Sequence, residues 1–256
     1  MKSTILHSAA ALVLAAPLSA CSDGTTTAPN KLFRSPSIAV GAGMARTEME
    51  FDSSDQLLAF RVVFNEGALT NLPMVLPGTE FIIPMPSDAP ASVFNHVAIN
   101  WQPQGHPPPM VYMHPHFDVH FYLVPISARD AITPADLDFA VKARKAPSAE
   151  QTPPRYVGDP NAIPRMGTHW TNQDSPEFHG QLFTNTMVYG FYDGKMVFIE
   201  PMTTKAYLES KPDETKVIAT PSRYAVAGRY PAAYRVAFEA ATKEYRVELK
   251  EFVARN

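Results

Sequence analysis

The chain has a single cysteine, Cys21, among its 256 residues. Neither a disulfide framework nor a cysteine-ligated zinc site is therefore open to it. No basic excess exists either. The 22 Lys plus Arg stand against 25 Asp plus Glu, a formal net charge of −3, which argues against nucleic acid as a partner. Several reaction signatures are missing: no G-x-S-x-G, no phosphate-binding glycine loop, no dinucleotide fingerprint and no EF-hand loop. Serines are plentiful, but nothing marks one as a nucleophile. Apolar residues come in short runs broken by 25 prolines. That pattern disfavours long helices and points to strands joined by proline-broken loops.

What is present begins at the N-terminus. "MKSTILHSAAALVLAAPLSAC" has an early cation at Lys2, an apolar run from about Ala9 to Ala20, and small residues leading to Cys21. This is the layout of a secretory signal peptide, too short and wrongly flanked for a spanning helix. Leu18-Ser19-Ala20-Cys21 resembles the lipobox of a bacterial lipoprotein precursor. The resemblance implies removal of residues 1–20, acylation of Cys21 and a lipid anchor in the membrane, worth about 0.8 kcal/mol per buried methylene. Ser22 after the cysteine implies, by the same resemblance, the outer membrane facing the periplasm. Loss of Lys2 with the signal leaves 21 cations against 25 anions, or −4.

Residues 21–40, rich in Thr, Ser and Pro, read as a flexible tether. Residues 41–256 read as one β-rich domain, an antiparallel sheet of mainly β class with minor helix, built as a cupin-like or other β-barrel or as a sandwich. "MARTEMEFD" and "LLAFRVVF" form a first hairpin around "DSSDQ". Further strands are "TEFIIPM", "FNHVAINW", "FDVHFYLV" and "LFTNTMVYGFYDGKMVFIEPM", the last folded at the Asp193-Gly194 turn. "AYRVAFEA" and "EYRVELKEFV" close the chain as another hairpin. Thr133 before Pro134 caps a short helix carrying Leu137, Phe139 and Val141, and "MTTKAYLES" adds a turn or two. The proline-rich stretch from about Lys145 to Gly167 reads as a long loop, a lid or a binding segment.

Six of the eight histidines, His106, His114, His116, His120, His169 and His179, fall within 74 residues. Histidine is the commonest metal ligand and the usual base near neutral pH. On a strand, Phe117, Val119, Phe121 and Leu123 form an apolar face, while His116, Asp118, His120 and Tyr122 share the other. Residues two apart lie about 6.6 Å apart and residues four apart about 13 Å. An imidazole holds a metal about 6.5 Å from its Cα, so His116 and His120 share one ion only at full stretch or across a bulge. A helix would bring them together as in H-E-x-x-H zinc proteases, but Phe117 stands where that glutamate belongs.

His114-x-His116 resembles the start of a cupin metal motif, with His120 in place of its glutamate and "PRMGTHW" supplying a glycine and His169 downstream. At larger scale, roughly Gly41 to Glu209, "NWQPQGHPPP", "PHFDVHFY", "MGTHW" and "DGKMVFIEPM" resemble an uncharacterised family of secreted bacterial domains with G-H-x-P-P, P-H-F-D-x-H-F-Y, M-G-x-H-W and F-x-E-P-M motifs. That resemblance assigns no activity. It does favour His106, His116, Asp118, His120, His169 and Glu200 over His96 and His114.

Two expectations follow. In the first, one divalent ion (zinc, iron or manganese) is held by His116, His120 and His169, with Asp118 or Glu200 as carboxylate ligand or partner and His106 as an additional site residue. An open coordination position would then activate water or bind an oxygenated small molecule. In the second, the His/Asp/Tyr face is a hydrogen-bond network in a non-catalytic binding or structural lipoprotein. Substrate and oligomeric state, a homo-oligomer included, stay open.

Overall fold

The computed structural model describes residue 1 and residues 29–256. The expected signal peptide, Cys21 and the start of the tether lie outside the described residues. The strands are β1 (Lys31–Arg34), β2 (Ile38–Val40), β3 (Gly43–Phe51), β4 (Leu57–Asn65), β5 (Thr79–Ile83), β6 (His96–Gln102) and β7 (His116–Tyr122). The second half adds β8 (Tyr156–Ile163), β9 (Gly167–Asn172), β10 (Asn185–Tyr192), β11 (Lys195–Thr204), β12 (Asp213–Val217), β13 (Gly228–Glu239) and β14 (Glu244–Arg255). Three short helices are α1 (Ile126–Asp130), α2 (Phe139–Arg144) and α3 (Lys205–Glu209).

The strands form two antiparallel sheets. One has the order β1-β3-β4-β14-β13-β12, with β2 beside β3, and the other β5-β6-β7-β11-β10-β9-β8. Neither closes on itself among the described residues, so the architecture is a β-sandwich rather than the cupin-like barrel held open from sequence. Alternation builds the core. Met49, Phe60, Val62, Phe64, Val247 and Leu249 of the first sheet meet Val97, Ile99, Phe117, Val119, Phe121 and Ile199 of the second. Phe60 and Phe121 touch edge to face at 4.9 Å between centroids, and Phe64 lies 6.0 Å from Phe117. Burial of each such ring contributes about 1.5–3 kcal/mol.

The turn chemistry works as its residues dictate. Asp193 and Gly194 adopt φ of 51° and 71°, the left-handed pair that a two-residue hairpin between β10 and β11 demands. β13 pairs with β14 from Gly228↔Arg255 to Glu239↔Glu244, the closing hairpin expected from alternation.

Three stretches differ from expectation. Lys31–Arg34 and Ile38–Val40, read as tether, pair with β3, so the folded domain starts well before Gly41. Strands of three and four residues at a sheet edge carry too little period to be read, although Phe33 packs on Phe51 at 5.7 Å. The stretch from Lys145 to Gly167, read as a loop, contains edge strand β8, whose register shifts between Gly158 and Ala162 around Pro160. The helix expected from Thr133 starts only at Phe139, because Thr133 and Asp136 accept hydrogen bonds from Ala135 and Asp138 N–H and hold turns instead.

Candidate metal centre

Strand β7 is buried on both faces: every residue from His116 to Tyr122 is buried. Phe117, Val119 and Phe121 enter the inter-sheet core. His116, Asp118, His120 and Tyr122 point to the opposite side of the sheet, away from its partner. β6 runs alongside with Gln102 opposite His116, Asn100 opposite Asp118 and His96 opposite Tyr122. On the other side β11 pairs Ile199 with Phe121 and Met202 with Asp118, which sets Glu200 beside His120. β10 pairs Val188 with Glu200, and β9 pairs His169 with Gly190.

Connecting segments cover this second face. Tyr112 and Phe183 pack with Val188 and Met202 at one end, and Ile132, with Phe139 and Met166 beside it, packs with Tyr122 and Phe198 at the other. The polar face thus lies in neither water nor the main core. His116, Asp118, His120 and Glu200 are at most 2% exposed.

The polar groups divide into two trios, each of two histidines and one carboxylate: His106, His116 and Asp118, and His120, His169 and Glu200. In the first, His116 Nε2 lies 2.9 Å from Asp118 Oδ1 and His106 Nε2 3.7 Å from Asp118 Oδ2. In the second, His120 Nε2 lies 3.4 Å from Glu200 Oε1 and His169 Nε2 3.7 Å from Glu200 Oε2. None of these four contacts is aligned as a hydrogen bond. Both ring nitrogens of His120, Glu200 Oε2, His116 Nε2 and Asp118 Oδ1 are buried and have no hydrogen-bond partner among the described residues. Ligands about 2.1 Å from a tetrahedral ion stand about 3.4 Å from one another. The measured separations bracket that value.

Gly190 gives the Phe198 ring room beside the second trio. A Cβ there would stand 2.2 Å from ring atoms of Phe198, so its absence lets that ring lie across β10. The ring centroid is 4.6 Å from that of His120 and 5.4 Å from that of His169, packing both imidazoles.

The electrostatics set this face apart. On the first sheet, buried Glu48 meets arginines at 3.0 Å (Arg34), 2.7 Å (Arg46) and 3.7 Å (Arg61). Among the described residues Asp118 and Glu200 have only histidines as ion-pair partners. Burial pushes the Asp118 carboxyl up, but the imidazoles of His116 and His106 more than reverse this and hold it well below the usual range. His106 is also penalised by burial, yet contact with Asp118 raises it. In the other trio burial prevails: His120 falls to about 3 and His169 to about 4. Burial and the charge of Asp118 raise Glu200 well above the usual carboxylate range. Without a cation, burial favours the neutral form of all three groups, and the buried atoms of His120 and Glu200 without hydrogen-bond partners make that burial unfavourable.

The six residues favoured from sequence are therefore all gathered on one sheet face, but in two groups. The single-ion set joining His116, His120 and His169 is not the grouping found. Positions four apart on a straight strand are about 13 Å apart, and β7 runs its full length against β6 without a register shift. His114 is exposed and contributes only its carbonyl, 2.6 Å from His116 Nδ1. His96 is buried and stacks on Tyr122 at 4.4 Å. His179 is exposed, with Nε2 2.9 Å from the Gln173 carbonyl. Sequence reasoning missed Gln102, whose side-chain amide donates to Asp118 Oδ2 at 3.0 Å. Its alternation with Asn100 in "AINWQ" was the available signal.

A family model described as TTHB210-like, "Hypothetical protein TTHB210", matches residues 52–101. The match runs from the turn before β4 to the penultimate residue of β6, a hypothetical family without assigned activity, and contains none of the six trio residues. Comparison with curated proteins and with solved structures returned no match.

Proposed function

We propose that this protein is a lipid-anchored bacterial envelope protein whose sandwich domain binds a divalent transition metal at His120, His169 and Glu200. One observation carries the reading. Groups from β7, β9 and β11 converge with N···O separations of 3.4 Å and 3.7 Å, while both nitrogens of His120 and one oxygen of Glu200 are buried without a hydrogen-bond partner among the described residues. Two imidazoles and one carboxylate suit zinc, iron or manganese, and three protein ligands leave a further position for water or an oxygenated small molecule. His169, with 21% of its side chain exposed, marks the side from which such a ligand arrives. Those unpaired buried atoms support a bound ion over a hydrogen-bond network closed among these side chains. The lipid anchor rests on the lipobox at Leu18–Cys21.

Elemental analysis after zinc supplementation and desalting tests the metal. The expected result is bound zinc that falls by one equivalent on Glu200→Gln. Less than about 0.1 equivalent in the unmutated protein would remove the basis of the reading.

A further inference from the structure

The other trio poses a separate question, because its histidines are already oriented. His116 Nδ1 lies 2.6 Å from the His114 carbonyl and His106 Nδ1 2.7 Å from the Pro107 carbonyl. A ring nitrogen facing a carbonyl must donate, so both Nδ1 atoms carry the proton. In a neutral ring that leaves Nε2 as a lone pair. Both Nε2 atoms face Asp118, at 2.9 Å and 3.7 Å, and a lone pair aimed at a carboxylate oxygen is repulsive unless positive charge, a proton on Nε2 or a metal ion, lies between them; the His116 Nε2–Asp118 Oδ1 contact is not aligned as the hydrogen bond a proton there would make. No lysine or arginine pairs with Asp118 among the described residues.

We infer that His106, His116 and Asp118 form a second divalent-cation site, beside the first on the same sheet face. Carbonyl-anchored imidazoles with free Nε2 atoms, and a carboxylate oriented by a donor from outside the ligand set, are the arrangement that fixes metal ligands in place. Gln102 is that donor, 3.0 Å from Asp118 Oδ2. The buried atoms His116 Nε2 and Asp118 Oδ1, without hydrogen-bond partners, provide the convergent pair on β7. His106 closes the site from the β6–β7 connection, where Gly105 at φ 71° folds the chain back and the His106 N–H donates to the Tyr112 carbonyl at 3.2 Å. Its side chain is 31% exposed, so the site opens toward solvent at that ligand. The donor set of two imidazoles and one carboxylate takes the same class of ion as the first: a borderline divalent transition metal, not calcium or magnesium.

The site goes beyond the function proposed above and falls or stands apart from it. The purified full chain is titrated with cobalt(II), read by visible absorption and by bound equivalents. The unmutated protein is expected to bind two. His106→Ala and Asp118→Asn each leave one, Glu200→Gln leaves one, and the Asp118→Asn/Glu200→Gln pair leaves none. One equivalent that survives both His106→Ala and Asp118→Asn but not Glu200→Gln overturns the second site and keeps the first. One equivalent lost in Asp118→Asn and kept in Glu200→Gln does the reverse, and no binding overturns both. His106 lies on a partly exposed loop, so its alanine variant gives the answer should Asp118→Asn fail to fold.

Discussion

Glu200→Gln separates a metal ligand from a structural ion pair. Glu200 is 1% exposed and its carboxyl is raised well above the usual range by burial and by Asp118, which favours the protonated, neutral form in the absence of metal. Glutamine replaces a neutral acid with a neutral amide of the same shape. In excess chelator the substitution should change stability by less than about 1 kcal/mol. With metal the comparison changes. A free ion at a hundredfold excess over Kd stabilises by about 2.7 kcal/mol per site. For a domain of this size that is about 5–10 °C of Tm per site, at 2–4 °C per kcal/mol. Thermal melts of both proteins, with chelator and with zinc, should show the zinc shift reduced in Glu200→Gln by one site's share. If instead Glu200 were ionised against a protonated His120, removing its charge would cost about 3–5 kcal/mol even in chelator. That result, or a Tm of the unmutated protein indifferent to zinc, refutes the reasoning.

The metal-free protein should lose stability on acidification from pH 6.5. His96, His120 and His169 fall from 6.5 to about 4, 3 and 4, so in this window the unfolded chain binds protons that the folded one does not. Their contribution is complete above pH 6.5 and declines below it. Glu200 and His106, both raised, oppose this in part, so the net loss is smaller than the three histidines alone would give. Urea midpoints in chelator that stay level or climb from pH 6.5 to 5 would contradict neutral buried rings. Gly190→Ala drives a Cβ into the Phe198 ring and should cost about 1–3 kcal/mol and weaken cobalt binding at His120 and His169; unchanged binding would show that Phe198 does not position them. His114→Ala removes an exposed side chain and keeps the backbone carbonyl that faces His116 Nδ1, so it should leave metal binding unchanged, whereas loss of an equivalent would restore the H-x-H motif. Cys21→Ser should abolish acylation and move the protein from the membrane to the soluble fraction, and a membrane-bound variant without acyl mass would exclude the lipobox reading.

Local period was enough to place much of this architecture. Alternation in "HFDVHFYLV" set His116, Asp118 and His120 on the face opposite Phe117, Val119 and Phe121, and the Asp193-Gly194 turn fixed the β10–β11 hairpin. What alternation does not contain is the strand order. Glu200 meets His120 only because β11 pairs with β7, some eighty residues distant, and His169 reaches them across β10 only because Gly190 lies between. The division into two trios follows from those pairings. Burial of the second face was equally hidden, since the residues that cover it, Tyr112, Ile132 and Phe183, sit in connections without period.

The outer faces of the two sheets then separate stability from function. On the first sheet, Glu48, Arg46 and Arg61 pair with charges of opposite sign, an arrangement that adds little to stability but leaves no carboxylate uncompensated. On the second, carboxylates face imidazoles, with their ring nitrogens stripped of water beneath loop residues. Desolvating such groups opposes folding, and the apolar core does not depend on them, because it lies on the far side of β7 between Phe60, Phe64, Phe117 and Phe121. A fold that could be closed by apolar residues at the buried positions of β7 and β11 instead holds ionisable ones there, the pattern expected where a functional requirement overrides local stability.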